Sequence, residues 1–122
     1  MFFMTIGSYA LEIPRMKKVA AKPKFLARFY APAEMKFLME KHFPLSKISE
    51  MFAAKMAFLN AMGIHARDYK LNEIAVLTDY SGNYYISLSG NSKKAFATKR
   101  CRVAVSCSHT RNIAMSTVVF YE

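Results

Sequence analysis

Residues 45–62 read LSKISEMFAAKMAFLNAM, and Gly63 follows them directly. The apolar side chains of this stretch recur every three or four positions, at Leu45, Ile48, Met51, Phe52, Met56, Leu59 and Met62. This spacing places them on one stripe of an α-helix of about five turns. Glycine readily adopts the left-handed conformation that ends helices, so Gly63 is expected to be the C-cap. The sequence therefore predicts one long amphipathic helix.

A shorter helix is predicted just before it. Pro32 suits the first helical position, and Glu34 falls in the first turn, where a negative charge is favourable. The segment 32–63 is therefore expected to be helical throughout, apart from a break at Pro44.

After Gly63 the apolar period changes from about 3.6 to two, which is typical of strands. Residues 74–78 and 85–89 flank the turn sequence 80–84 and are expected to form a hairpin. Residues 95–107 alternate like one long strand, and residues 113–121 like the last strand.

These elements predict an α+β fold. One long amphipathic helix and a shorter helix in the first half pack on an antiparallel meander of about four strands in the second half. We expect a single domain, 1–122, because this length suits one core. Its expected segments are edge strands within 1–13 (2–6 and 9–13), a basic arm or loop over 14–24, the helical part 32–63 and the sheet 69–122.

The net charge of +10 is concentrated in two blocks that contain no acidic residue. Residues 25–92 between them are nearly neutral, with seven basic and six acidic residues. The first block is the arm, with Arg15, Lys17, Lys18, Lys22 and Lys24; the second contains Lys93, Lys94, Lys99, Arg100, Arg102 and Arg111. A localised positive field attracts polyanions.

The sequence therefore favours a small, non-enzymatic nucleic-acid-binding protein that acts through phosphate contacts. Arg100 and Arg102 are expected on one face of the long strand and Lys99 on the other. Lys93 and Lys94 are expected in the preceding turn, and Arg111 in the following one. Lys17, Lys18, Lys22 and Lys24 are expected to clamp the phosphate backbone from a second side.

Three tyrosines near the hairpin turn refine this hypothesis. Tyr80, Tyr84 and Tyr85 are candidates for stacking on unpaired bases, which slightly favours RNA or single strands over duplex DNA. The plainer interpretation is that tyrosine is a good strand residue that stabilises hairpins.

Two alternatives involve other partners or another binding mode. A protein–protein inhibitor or assembly module, phage- or plasmid-borne, would turn its basic blocks to an acidic surface or to a ribonucleoprotein complex. The nine methionines would then line a contact surface rather than fill the core. A winged-helix reading is weaker, because residues 45–62 run on as one apolar helix with no polar recognition helix.

A third alternative is a small ribonuclease-like toxin. It requires at least two of His42, His65 and His109 to meet an arginine in one cleft. The carboxylates are scattered along the chain and are interpreted as partners in ordinary surface ion pairs.

No cofactor and no metal site is predicted, since the chain has no Walker loop, GxGxxG, HExxH or CxxC motif. Cys101 and Cys107 are expected to be unpaired thiols of a reducing compartment. No apolar run reaches the roughly 20 residues of a membrane span, so the expected location is cytoplasmic, with no membrane partner.

Overall fold

The computed structural model describes residues 4–63 and 69–122 of the chain. The described helices are α1 Lys17–Ala20, α2 Pro23–Leu26, α3 Pro32–Glu40, α4 Leu45–Met62 and α5 Gly90–Ala97. The described strands are β1 Met4–Glu12, β2 Ile74–Thr78, β3 Tyr84–Leu88, β4 Arg102–His109 and β5 Ile113–Tyr121. Short 3-10 turns occupy Ile13–Met16 and Leu71–Glu73.

The strands form two antiparallel sheets. The larger sheet has the order β1-β5-β4, and β2 pairs with β3 in a separate hairpin. In the larger sheet Ser116 pairs with Tyr9 on one side and with Cys107 on the other. The first strand of the chain is thus hydrogen-bonded along the last one.

Helix α4 packs across the inner face of the larger sheet, against β1 and β5. At the crossing the two backbones approach so closely that a Cβ atom on Gly7 would overlap the carbonyl oxygen of Ala57 and the amide nitrogen of Ala61. Only glycine fits this crossing without a shift of the helix. Gly7 therefore sets the distance at which α4 lies on β1.

The predicted α+β class with antiparallel sheets is confirmed. Both predicted helices are present, Pro32 begins α3, and Gly63 ends α4 in the left-handed conformation with φ of 74°. The hairpin is also present, as β2 and β3. Because α4 is continuous from Leu45 to Met62, it does not form the helix-turn-helix pair of a winged-helix domain.

The predicted long strand 95–107 is wrong in its first part. Residues through Ala97 belong to α5, and β4 begins only at Arg102. Phe96 explains the difference, because its ring packs 5.8 Å from that of Phe58 and 5.0 Å from that of Phe120. This long-range aromatic packing favours the helix over a strand with the same local pattern.

The ends of the chain also differ from the predicted arrangement. Residues expected as two short strands around Gly7-Ser8 form the single strand β1. The arm over 14–24 is not a plain loop, since it contains a 3-10 turn, α1 and the start of α2. β1 is hydrogen-bonded into the sheet of β4 and β5, whereas β2 and β3 form a separate two-stranded sheet. The strands therefore do not form one meander.

No helix among the described residues is long and apolar enough to cross a membrane.

Candidate active site

The candidate site lies where the N-terminal part of α4 meets the last residue of β4 and the first residue of β3. Four side chains converge there, and we refer to them as the Glu50 cluster: Lys47, Glu50, Tyr84 and His109. Lys47 and Glu50 lie three positions apart on α4 and so share one face of the helix. A polar cavity of about 280 Å³ adjoins Lys47, Glu50 and Tyr84.

Glu50 is the centre of the cluster. Its Oε2 lies 2.9 Å from Nδ1 of His109, and its Oε1 accepts a hydrogen bond of 2.7 Å from the Tyr84 hydroxyl. Lys47 Nζ lies 3.6 Å from Oε1 and donates a hydrogen bond of 3.1 Å to the Tyr84 oxygen. The Glu50 side chain is only 5% exposed, whereas that of His109 is 40% exposed. A buried carboxylate thus stands behind an accessible imidazole.

The surroundings fix the charge of Glu50. Burial alone would raise the pKa of Glu50, but hydrogen bonds from His109 and Tyr84 and the charge of Lys47 outweigh it, so that the pKa lies below its usual range. Glu50 is therefore ionised near neutral pH and accepts hydrogen bonds at both oxygens.

The neighbouring hydroxyl and thiol stay protonated. Burial, together with the hydrogen bond to Glu50, raises the pKa of Tyr84 far above its ordinary value. Burial raises the pKa of Cys107 to about 11. The Cys107 thiol contacts Ser116 Oγ at 3.4 Å. Since the thiolate is the nucleophilic form of cysteine, Cys107 is a structural group of this site.

A second carboxylate, Glu34, lies deep between α3, α4 and β2. Glu34 Oε1 accepts a hydrogen bond of 2.5 Å from Lys55 Nζ, and both side chains are fully buried. The backbone N–H groups of Ala31 and Val76 also donate to Glu34, at 2.8 and 3.0 Å. Lys55 donates further to the carbonyl oxygens of Leu71 and Ile74, so this pair has no free hydrogen-bonding group.

Burial acts on both members of this pair. It raises the pKa of Glu34 and lowers the pKa of Lys55, while the pairing opposes both shifts. The interpretation of the carboxylates as ordinary surface ion pairs is therefore wrong for Glu34 and Glu50. Lys55 offered a signal in the sequence, because it interrupts the apolar run of α4 at a position three residues after Phe52 and three before Phe58.

The ten basic residues proposed for phosphate contacts are all exposed, but they do not form one surface. Lys93 and Lys94 lie on α5, Lys99 and Arg100 in the following loop, and Arg102 at the start of β4. Arg100 has φ of 50°, outside any strand, so Arg100 and Arg102 do not project from one strand face. Arg111 lies beyond the other end of β4. At roughly 3.3 Å per residue, that end of the strand is about 20 Å from Arg102.

The remaining four, Lys17, Lys18, Lys22 and Lys24, belong to the arm. The arm leaves β1 at the end of the sheet where His109 lies, and the N–H of Ile13 donates to the carbonyl oxygen of Asn112 in the β4–β5 turn. The arm is thus a second basic segment, which begins at the end of the sheet where His109 lies.

The three tyrosines do not form a stacking platform. Tyr80 is fully exposed at the hairpin tip, and Tyr85 is 46% exposed. Tyr84, adjacent to Tyr85 on β3, points to the opposite face of the strand, where it binds Glu50. Of the three histidines, His65 lies outside the described residues and His42 follows the end of α3. Only for His109 is a charged partner described.

Comparison with known proteins assigns the chain to a family. A protein of Clostridium botulinum (strain Eklund 17B / Type B), "Holo-[acyl-carrier-protein] synthase", is 33% identical over 112 residues, 91% of each chain. The protein of the same name from Clostridium tetani is 31% identical over 113 residues, 91% of this chain and 90% of the relative. This chain belongs to the holo-[acyl-carrier-protein] synthase family. No family model matches the sequence.

Solved structures of synthases share the fold. The Helicobacter pylori holo-[acyl-carrier-protein] synthase in complex with coenzyme A has a TM-score of 0.79 and 27% identity, covering 94% of this chain and 98% of that one. The Chronobacterium ammoniagenes ACPS-CoA complex has a TM-score of 0.86 at 22% identity, covering 98% of each chain.

These findings correct the expected function. The prediction of a non-enzymatic nucleic-acid-binding protein is wrong, because the relatives are enzymes named for their action on acyl carrier protein. The same finding overturns the alternatives of a protein–protein inhibitor and of a ribonuclease. The prediction of RNA or DNA as the partner is wrong as well, since the relatives are named for acyl carrier protein and the Helicobacter pylori synthase was solved in complex with coenzyme A.

Phosphoryl-transfer enzymes commonly use Mg²⁺, held by one or two carboxylates together with substrate phosphates. Among residues 4–63 and 69–122, no group of three or more His, Cys, Asp or Glu side chains is placed to hold a metal ion. Both oxygens of Glu50 are already engaged by His109 and Tyr84. Within the described residues, the Glu50 cluster therefore has no carboxylate oxygen without a hydrogen-bond partner to offer such a cation.

Proposed function

We propose that this chain binds coenzyme A and transfers its phosphopantetheine group to a hydroxyl group of an acyl carrier protein. The full-length match to the synthases carries this proposal, because 91% of the chain aligns with 91% of a relative at 33% identity. The transfer forms a bond between the acceptor oxygen and the pantetheine-bearing phosphorus. It breaks the pyrophosphate P–O bond, and 3′,5′-ADP leaves with the electron pair.

The Glu50 cluster supports this proposal. Attack by a hydroxyl group needs a residue that accepts its proton, and His109 is an accessible imidazole with an ionised partner. Lys47, three residues from Glu50, supplies a positive charge beside a polar cavity. Such a charge favours the phosphates of a nucleotide ligand.

The arm supports the choice of a protein substrate. Lys18, Val19, Lys22 and Phe25 line a largely apolar cleft of about 210 Å³ with a basic rim. Phe25 is 42% exposed, with the guanidinium of Arg28 lying 5.5 Å from the centre of its ring. A positive surface with an exposed aromatic ring suits a negatively charged, partly apolar helix face. We therefore propose that the carrier protein docks on the arm, beside His109.

The proposed compartment is the cytoplasm. Cys101 and Cys107 are both unpaired, as is usual for proteins in a reducing compartment.

The test of the transfer is intact-mass spectrometry. Purified chain is incubated with a bacterial apo-acyl carrier protein and coenzyme A, in parallel with Mg²⁺ and with EDTA. The proposal predicts a carrier mass increased by one phosphopantetheine group and release of 3′,5′-ADP in at least one condition. An unchanged carrier in both, with several carriers and with a clostridial synthase as positive control, would refute the transfer.

A charge-reversal pair tests the docking surface. Lys18→Glu with Lys22→Glu is expected to raise the KM for the carrier at least tenfold while leaving the KM for coenzyme A within about twofold. Lys93→Glu with Lys94→Glu is the matched control, because α5 precedes β4 at the far end of the sheet from His109. An equal effect of both pairs on the carrier KM would contradict docking on the arm.

A further inference from the structure

We infer that Glu50 and His109 act as one proton-accepting pair, in which Glu50 positions His109 to take the proton of the attacking hydroxyl group. This inference rests on the proposed function for its substrate. It rests on the geometry of the Glu50 cluster for its residues and their roles.

The hydrogen-bonding capacities of the cluster assign the proton on His109. Glu50 is an acceptor only, and one of its oxygens already accepts from Tyr84. At 2.9 Å from the other oxygen, Nδ1 of His109 must therefore be the N–H donor. In a neutral imidazole the second nitrogen, Nε2, then carries the lone pair. The pairing selects the tautomer whose basic nitrogen lies on the ring edge away from Glu50.

The two side chains of the pair differ in exposure, which leaves only His109 accessible to a substrate. Glu50 has a side chain that is 5% exposed, while His109, at the end of β4, is 40% exposed. The carboxylate thus stays shielded from solvent, and the imidazole remains open to a substrate. When His109 accepts a proton on Nε2, the negative charge of the buried Glu50 carboxylate on its Nδ1 side stabilises the imidazolium.

Tyr84 and Lys47 keep Glu50 in place from the other side. The Tyr84 hydroxyl binds Oε1, and Lys47 binds Tyr84 and lies over its ring at 5.2 Å. The titratable groups that face Glu50 are therefore Lys47 from α4, Tyr84 from β3, and Cys107 with His109 from β4. Tyr84 and Cys107 remain protonated at neutral pH, so neither competes with His109 for the proton of the attacking hydroxyl group.

The proton balance closes without another reactant. As the hydroxyl oxygen bonds to phosphorus, its proton passes to Nε2 of His109, and the electron pair of the broken P–O bond leaves on 3′,5′-ADP. The imidazolium then returns the proton to solvent, which regenerates the pair. His109 is a catalytic residue in this scheme, and Glu50 is a positioning residue.

The decisive experiment combines nitrogen NMR of histidine with transfer rates. With ¹⁵N-histidine labelling, the wild type at pH 8 is expected to show His109 with the proton on Nδ1, assigned by comparison with His109→Gln. Glu50→Gln should lose this tautomer preference, because an amide offers one acceptor oxygen to two donors. A proton on Nε2 in the wild type would overturn the inference, whether or not any transfer is seen.

The rates separate this inference from the proposed function. His109→Gln should lower kcat by about 10²–10⁴-fold and abolish its rise with pH. Glu50→Gln should lower kcat by about 10–100-fold, with the KM for coenzyme A within about twofold. Glu40→Gln on the exposed end of α3 is the matched control and should change neither constant.

Folding of each variant is checked by thermal melting. Tyr84→Phe is the second variant, and it should lower kcat several-fold while retaining the histidine tautomer. If the wild type transfers the group and Glu50→Gln matches it in rate and pH profile, the pair is refuted while the function stands. If the wild type transfers nothing, the function fails, and the tautomer measurement still decides the pair.

Discussion

Glu34 and Glu50 are both buried carboxylates with a lysine partner on α4. Their hydrogen-bond networks differ in whether they reach the protein surface. Glu34 binds Lys55 and two backbone N–H groups inside the protein, and Lys55 also donates hydrogen bonds to two backbone carbonyl oxygens. Glu50 binds groups that reach the surface, Lys47 and His109. The first network is closed, and the second leaves one nitrogen of His109 for a substrate.

Ionic pairing of a buried carboxylate therefore does not by itself mark a functional site. A closed buried network specifies how elements fit together, here α3, α4 and β2. A network with one unused acceptor at the surface is able to take part in chemistry. The two networks differ in the exposure of the partner: Lys55 is buried, whereas His109 is 40% exposed.

The largest expected effect comes from breaking the closed network. Lys55→Ala leaves Glu34 buried without its counterion and should lower the free energy of unfolding by about 3–5 kcal/mol. Urea denaturation measures this loss. Lys47→Ala, which removes a half-exposed partner of Glu50, is the control and should cost under about 1 kcal/mol.

A double variant tests whether the loss comes from an unpaired buried charge. Glu34→Leu with Lys55→Met removes both charges together and should recover much of the stability lost by Lys55→Ala, because no unpaired charge is left. Similar losses for Lys55→Ala and Lys47→Ala would show that the two networks do not differ in kind.

The next effect tests the helix that both networks share. Gly7→Ala places a methyl group against the backbone of α4 at Ala57 and Ala61 and should cost about 1–3 kcal/mol. Because α4 carries Lys55 and Glu50, the shift should also move the amide signals of both regions in NMR spectra. Ser8→Ala, at the neighbouring exposed position, should leave these signals in place.

A smaller effect is expected from the support of Glu50. Tyr84→Phe removes a hydrogen bond to a carboxylate and should cost about 1–2 kcal/mol in urea denaturation. It should also bring the pKa of Glu50 closer to its ordinary range, since the Tyr84 hydrogen bond helps to lower it. Carbon NMR of the Glu50 carboxyl group reports this change, and an unchanged titration would contradict the role given to Tyr84.

The smallest effect is the acid dependence of stability. The pKa of Glu50 is lower in the folded state than its ordinary value of 4.5, so the unfolded state binds more protons as the pH falls through this range. The contribution of Glu50 is complete above about pH 5 and is lost progressively at lower pH. Relative to Glu50→Gln, the wild type should therefore lose more stability between pH 5 and 3. Parallel curves for the two proteins would refute this linkage.

Local patterns predicted the elements whose signals are local. The apolar stripe of Leu45–Met62 with Gly63 specified α4, and alternation around the turn specified the β2–β3 hairpin. The alternation around Phe96 predicted a strand, which was wrong because Phe96 belongs to α5 and packs against Phe58 and Phe120. Pairing of β1 with β5 joins opposite ends of the chain, and no local feature of either strand announces it.

The candidate site could not be predicted from local patterns either, because its residues are far apart in the sequence. Tyr84 and His109 are separated from Glu50 by 34 and 59 positions, and nothing in their neighbouring residues indicates that they meet. The dense positive charge drew attention to α5 and the start of β4. Lys47, the lysine of the Glu50 cluster, lies in the nearly neutral middle of the chain.

The most direct test of the account is a titration of the ¹⁵N-labelled protein with coenzyme A, followed by NMR. We expect saturable shifts at Lys47, Tyr84 and His109, with Lys55 and its surroundings unchanged. Shifts confined to α5 and the loop of Lys99 and Arg100, or no shifts at millimolar coenzyme A, would contradict the assignment of the Glu50 cluster as the active site.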